Sequence, residues 1–192
     1  MRKNLITSVL YTAVTAIVLG ILYPWLMTGL AQEFFPRQAN GQLIVKNGVV
    51  LGSRIIGQSF TGDGYFYSRP SAAGTYGYDA ADSGGSNYGP TNKAYVERVD
   101  ASVAAFQKQQ PNVPVPIDLV TTSASGLDPD ITPAAAYYQV PRVAKARGIS
   151  QAELRELVAK HITPRQFGIL GEARVNVLEL NLALNKLAAQ GK

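Results

Sequence analysis

The side chains able to do chemistry are few in this chain. Of 192 residues one is histidine and none is cysteine, so no thiolate nucleophile, disulfide framework or thiolate metal site can form. His161 would need a nucleophile and an orienting acid beside it to act as a catalytic base, or further ligands to hold zinc. Neither a GxSxG nor an HExxH motif occurs. Its place at the end of a helical stretch suits interaction with the helix dipole instead. Asp128 and Asp130 lie in a hydroxyl-rich stretch that starts at Thr122, and Asp79 and Asp82 in an earlier loop. A pair of carboxylates falls short of the about six to eight oxygens that Ca²⁺ takes, and Asp-Pro opens a turn, so no metal site is expected. No Gly-Lys-Ser/Thr of a P-loop occurs. No catalytic residue can be named. What remains is the chemistry of contact: Tyr76, Tyr78 and Tyr88, with Tyr67 nearby, are rigid aromatics among adaptable Gly, Ser and Asn, a composition suited to binding a partner.

The element that must position all of this is the run from Leu5 to Ala31, which holds no charged residue. At about 1.5 Å of rise per residue, a helix of this length crosses the ~30 Å hydrocarbon core of a bilayer. Gly29-Leu30-Ala31 is a triplet that a signal peptidase accepts. A signal peptide's apolar core is only about 7 to 15 residues long, however, and Tyr23, Pro24 and Trp25 suit the membrane interface, so an uncleaved anchor is expected. Arg2 and Lys3 precede the run, whereas Glu33 and Arg37 after it cancel. That bias places the N-terminus in the cytoplasm and everything from Gln32 onward outside. Ser8, Thr12 and Thr15 share one helix face, with Gly20 near the same stripe, and small or hydroxyl residues of this kind let a partner helix approach. The expected division is therefore residues 1–31 as cytoplasmic stub and anchor, and residues 32–192 as one exported domain.

The 18 basic and 13 acidic residues leave a net charge of +5 with no block of Lys or Arg, so nucleic acid is not an expected partner. Residues 42–45 and 49–56 flank Asn47-Gly48, the signal of a type I′ hairpin. Tyr65-Phe66-Tyr67 reads as a short aromatic strand, and residues 71–92 as a long loop, ordered by its tyrosines. Asn92 or Thr91 caps a helix to about Gln110, with Val96, Val99, Val103 and Phe106 as its core stripe. Ile117 to Thr121 reads as a strand. Thr132 and Pro133 open a helix that Pro141 should break or kink before it ends at Arg147-Gly148. Ser150 and Glu153 form a capping box for a helix to about His161. Asn176 and Glu179 repeat that pattern ahead of a helix carrying Val177, Leu180, Leu184 and Leu187, with Asn181 and Asn185 on another part of it. The fold class is a single N-terminal transmembrane helix plus one mixed α/β (α+β) exported domain with long ordered loops.

Taken in order, several stretches resemble a known family: Gly57 to Phe60; Tyr65-Phe66 with Ser68 to Ala73; Ser83 to Asn87 with Gly89 to Asn92; Thr121 to Pro129; Gln139-Val140 with Arg142 to Ala144; Arg147-Gly148; and Gly171-Glu172 with Arg174 to Leu178. Together they look like the C subunit of the bacterial Kdp potassium-transporting ATPase. Ala173, where the family usually has proline, and Ile162 to Gln166 depart from its commonest form. The resemblance implies a non-catalytic accessory subunit of a high-affinity, ATP-driven potassium uptake pump of the inner membrane, with K⁺ as cargo. Its implied partners are a channel-like potassium-binding subunit, a P-type ATPase subunit and a small peptide subunit, in membrane lipid. It also implies a catalytic chaperone that raises the ATPase subunit's affinity for ATP, with nucleotide contact at Ser83, Gly84, Gly85, Ser86 and Asn87 and no firmly bound cofactor. The charge bias places that loop outside the cell, where ATP is not, so an effect on ATP use is expected to be indirect, through conformational bias. The competing reading is a solitary anchored module that binds glycan or peptidoglycan through the Tyr/Gly/Ser loop.

Overall fold

In the computed structural model, residues 1–190 are described. They form two compact units, Met1–Leu51 and the chain from Gly52 onward.

The first unit is dominated by a helix running Arg2–Phe34, the one described helix long and apolar enough to cross a bilayer. It consists of α1 (Arg2–Ile17), a π-helical turn (Val18–Leu22) and α2 (Tyr23–Phe34). The π turn precedes Pro24, which has no N–H and whose ring would clash with the Gly20 carbonyl in a regular α-turn; the Tyr23 N–H reaches back to Val18 O instead. None of its residues is buried. Gly29 to Ala31 lies inside α2. A short α3 (Pro36–Ala39) leads to β1 (Leu43–Lys46) and β2 (Val49–Ser53), which pair. Asn47 and Gly48 both have positive φ, 52° and 78°, as a type I′ turn demands. The second strand stops at Ser53, short of the expected Ile56.

The second unit is built on α5 (Pro133–Arg147), α6 (Gln151–Lys160) and α7 (Val177–Gln190). They pack with a small antiparallel sheet of order β3-β5-β4, from Asp130–Ile131, Arg174–Asn176 and Ile162–Thr163. Val140, Val143, Leu154, Val158, Val175, Leu180 and Leu184 are wholly buried. Each large aliphatic among them contributes about 1.5 to 3 kcal/mol. Thr132 caps α5 by accepting the Ala135 N–H, and Ser150 and Glu153 close the expected capping box on α6. Gly148 ends α5 at φ 66°, the left-handed position that glycine fills cheaply.

Four expectations are corrected. Tyr65 to Tyr67 lies in no strand, because side chains rather than a neighbouring strand take up its backbone groups. Ile117–Leu119 is a 3₁₀ turn, not a strand; Asp118 within it accepts the Thr132 N–H at 2.6 Å and so joins the turn to the cap of α5. Pro141 lies inside α5, which continues to Arg147, so of the expected break or kink the break does not occur. The helix α4 (Lys93–Gln109) begins where Asn92 caps it, yet none of its residues is buried. Of the stripe foreseen as core, Phe106 packs against the core from the side, whereas Val96 stays exposed.

Candidate functional site

On the membrane helix, Ser8 and Thr15 donate to the carbonyls of Asn4 and Tyr11, both at 2.8 Å. Back-bonding of this kind lets a hydroxyl sit in an apolar medium without an orphan donor. Open space surrounds Gly20. Among the described residues none of the Ser8, Thr12 and Thr15 stripe is buried, and small side chains keep that helix face shallow.

In the second unit the polar chemistry converges on backbone. The Asn181 carboxamide, buried in α7, accepts the Phe66 N–H and donates to the Phe66 carbonyl, both at 2.9 Å. The Gln139 carboxamide of α5 does the same for Tyr67, accepting at 2.7 Å and donating at 3.2 Å. In an extended chain the N–H and carbonyl of one residue face the same edge and successive residues alternate edges, so one amide serves each edge. Arg142 completes the frame: it donates to the carbonyls of Asp63 and Tyr65 and to Gln139 Oε1, and its guanidinium lies 3.7 Å from the Tyr67 ring centre. Burial lowers its pKa. Arg147 stacks on Tyr65 at 4.5 Å and donates to Gly64 O at 2.7 Å. Gln139 shows no structural role in the sequence, and Asn181, expected on another part of α7 than its core stripe, is buried with that stripe. Its signal was positional: Asn181 falls beside Leu180 and Leu184, where a helix turns its apolar face inward.

The long loop is ordered by a second network. Ser71 Oγ donates to Gly126 O at 2.6 Å and accepts the Ala73 and Tyr78 N–H groups. The Ser83 hydroxyl and the Gly84 N–H both donate to Ser125 O at 2.9 Å, and Thr122 bonds Ser86 through their hydroxyls at 3.2 Å. The Ser83 to Asn87 segment therefore lies against the Thr122 to Gly126 loop. A Cβ on Gly126, whose φ is 67°, would come within 2.6 Å of Gly84 O and 2.7 Å of Ala73 N; one on Gly85 would lie 2.9 Å from Ala124 O. Only glycine permits such close approach of two backbones. Gly84 itself faces open space.

The tyrosines part company. Tyr76 is 99% exposed. Tyr78 turns its hydroxyl onto Arg69 O, and burial raises its pKa. Tyr88 sits 5.8 Å from the Arg98 guanidinium. Tyr76 and Tyr78 line one hollow of about 230 Å³ with Arg69 and Ser71. An open depression of about 650 Å³ runs along Thr122 to Ser125, Arg69 and Asp128.

Asp128 pairs with Arg69 at 3.0 Å and accepts the Asp130 N–H. Asp130 pairs with Arg174 at 2.9 Å and accepts from Asn176 at 3.2 Å. Its pKa is nevertheless raised, since burial outweighs the Asn176 hydrogen bond and the half-exposed Arg174. His161 Nδ1 lies 2.8 Å from Leu157 O, on the last turn of α6, so it satisfies a helix-end carbonyl. Among the described residues no three His, Cys, Asp or Glu side chains gather as metal ligands. The arrangement is suited to holding loops rigidly and presenting them, not to moving protons.

Comparison with known proteins accords with this. The family model described as K⁺-transporting ATPase, c chain, matches residues 5–186. The chain is 62% identical over 185 residues to the potassium-transporting ATPase KdpC subunit of Koribacter versatilis, covering 96% of this chain and 95% of that one. It is equally 62% identical over 185 residues to the KdpC subunit of Acidobacterium capsulatum, covering 96% and 99%. To that of Methylobacterium nodulans it is 50% identical over 201 residues, covering 99% and 98%. With a match of this extent and a single membrane-crossing helix at its start, the chain belongs to the KdpC family, the c chain of the K⁺-transporting ATPase, and is a single-pass membrane subunit rather than the hydrolysing chain.

Proposed function

We propose that the chain is the accessory subunit of an ATP-driven potassium uptake pump in a bacterial inner membrane, with its N-terminus in the cytoplasm and its folded domain on the outer side. Its partners are a channel-like potassium-binding subunit, a P-type ATPase subunit and a small peptide subunit. The observation that carries this reading is the family match over residues 5–186, spanning both the anchor and the folded domain. The Ser8, Thr12 and Thr15 face is the contact for a neighbouring membrane helix, and the exposed Tyr76 belongs to the contact surface of the outer domain. Native mass of a detergent extract tests the assembly: a fixed complex of unlike subunits is expected, and a monomer or homo-oligomer would overturn it.

The effect on ATP use is indirect. A loop outside the membrane has no access to cytoplasmic ATP, and the Ser83 hydroxyl and Gly84 N–H that a phosphate would use already donate to Ser125. The subunit acts as a chaperone of the pump by binding one of its conformations better than another, which shifts the population that binds ATP tightly. Gly84→Ala in the intact complex is the decisive variant, since open space receives its methyl group. The half-saturating ATP concentration is expected to stay unchanged. A several-fold rise with assembly intact would establish direct contact at this loop.

A further inference from the structure

The chain joining β4 to β5 is a hairpin extension whose apolar side chains face outward. Ile162 pairs with Val175 and Thr163 with Arg174, and beyond them Gln166 and Leu170 form a further bridge, each donating its N–H to the other's carbonyl at 2.9 Å. At the base of the tip Arg165 Nη2 lies 2.7 Å from both carboxylate oxygens of Glu172. The tip is therefore a defined structure. Yet Phe167 is 83% exposed, Ile169 75% and Leu170 55%. Phe167 also sits at φ 54°, a left-handed conformation that a bulky side chain rarely adopts. The turn it forms with Gly168, at φ 78°, closes on the Ile169 N–H donating to Gln166 O at 3.2 Å, and among the described residues nothing buries the ring.

We propose that Phe167, Ile169 and Leu170 are the anchor by which this domain docks into an apolar socket on another subunit of the same ATPase. This rests on the pump-subunit reading above and names the contact it would use. Two observations select a protein socket over the alternatives. A tip that enters a lipid surface is served by a collar of free cations, whereas here the collar carries Glu172, its side chain 77% exposed, and Arg165 is spent on it. An aromatic flanked by aliphatics and ringed by a neutralised ion pair is the pattern of a protein hot spot with a polar rim. The family description, a c chain, presupposes other chains that could supply the socket.

The test is made in the purified complex with the full-length chain. A photo-crosslinking residue is placed at Phe167, and separately Phe167, Ile169 and Leu170 are all changed to Ser. The expected result is a crosslink to another subunit of the pump, identified by mass, and about tenfold less triple-variant chain retained through detergent washing, the scale of losing a hot spot. Thermal melting of the triple variant in detergent should match that of the unaltered chain, because the altered side chains are exposed. A crosslink only to lipid or to a second copy, no crosslink at all, or undiminished retention overturns the proposal. If the unaltered chain itself fails to co-purify with other subunits, the pump-subunit reading falls, and this inference with it. If the unaltered chain co-purifies and the tip variant does so equally, only the docking point is wrong.

Discussion

The carboxamides of Gln139 and Asn181 do for Tyr67 and Phe66 what neighbouring strands do in a sheet: each offers one acceptor and one donor to the N–H and carbonyl of one residue. Both amides are buried, so their loss strands polar groups in an apolar core. Asn181→Leu is expected to cost about 2 to 3 kcal/mol in denaturant unfolding, through the unpaired Phe66 N–H and carbonyl. Asn185→Ala, at an exposed site on the same helix, should cost about 0.5 kcal/mol or less. Asp130 supplies a pH dependence. Because its folded pKa lies above the ordinary 3.8, its contribution to stability is full below that value and is lost as pH rises through the raised one. Asp130→Asn should therefore gain stability relative to the unaltered chain as pH climbs through the window just above 3.8, measured by unfolding at stepped pH. The opposite trend would show that the Arg174 pair outweighs burial.

Among the elements, the loops rather than the helices distinguish this domain. Ser71, Ser83, Gly84, Gly85 and Gly126 fasten two long loops to each other with hydroxyls and bare backbone. Gly126→Ala is expected to destabilise by about 2 to 4 kcal/mol, combining a strained positive φ with contact against backbone that cannot yield. Gly84→Ala should be close to neutral in the same assay. Loop-to-loop packing thus engages the Ser83 hydroxyl and the Gly84 N–H of the Ser-Gly-Gly sequence. On the membrane helix the hydroxyls back-bond to the turn before them, which leaves their face smooth. If this face meets a neighbouring helix as proposed, Thr12→Phe is expected to reduce co-purification of the chain with the other pump subunits, by steric exclusion of a close-packed helix, while leaving melting of the folded domain unchanged.

For the whole molecule, an apolar helix long enough to cross a bilayer joins a folded unit whose surface is shaped by arginine-aromatic stacking and bonded loops. Family membership gives that surface its place in a transport ATPase. For the chaperone role proposed above, rigidity is what the folded unit would contribute, because a surface that favours one conformation of a neighbour must not deform to fit both.

The helices and their caps, the hairpin turn and the bilayer anchor were legible in the residues alone. Thr132, Ser150, Asn92 and Asn47-Gly48 act on atoms within a few positions of themselves, and the anchor depends only on composition and length. The family was legible for the same reason, since its motifs are local strings. The partners of Tyr65 to Tyr67 were not. A run of β-forming residues states a need for hydrogen bonds, but only tertiary packing, which brings Asn181 within bonding distance of Phe66 across 115 positions of chain, decides that side chains rather than a strand meet it. The same holds for the stripe of α4, whose spacing is helical but whose burial required a neighbour that the fold does not place over Val96.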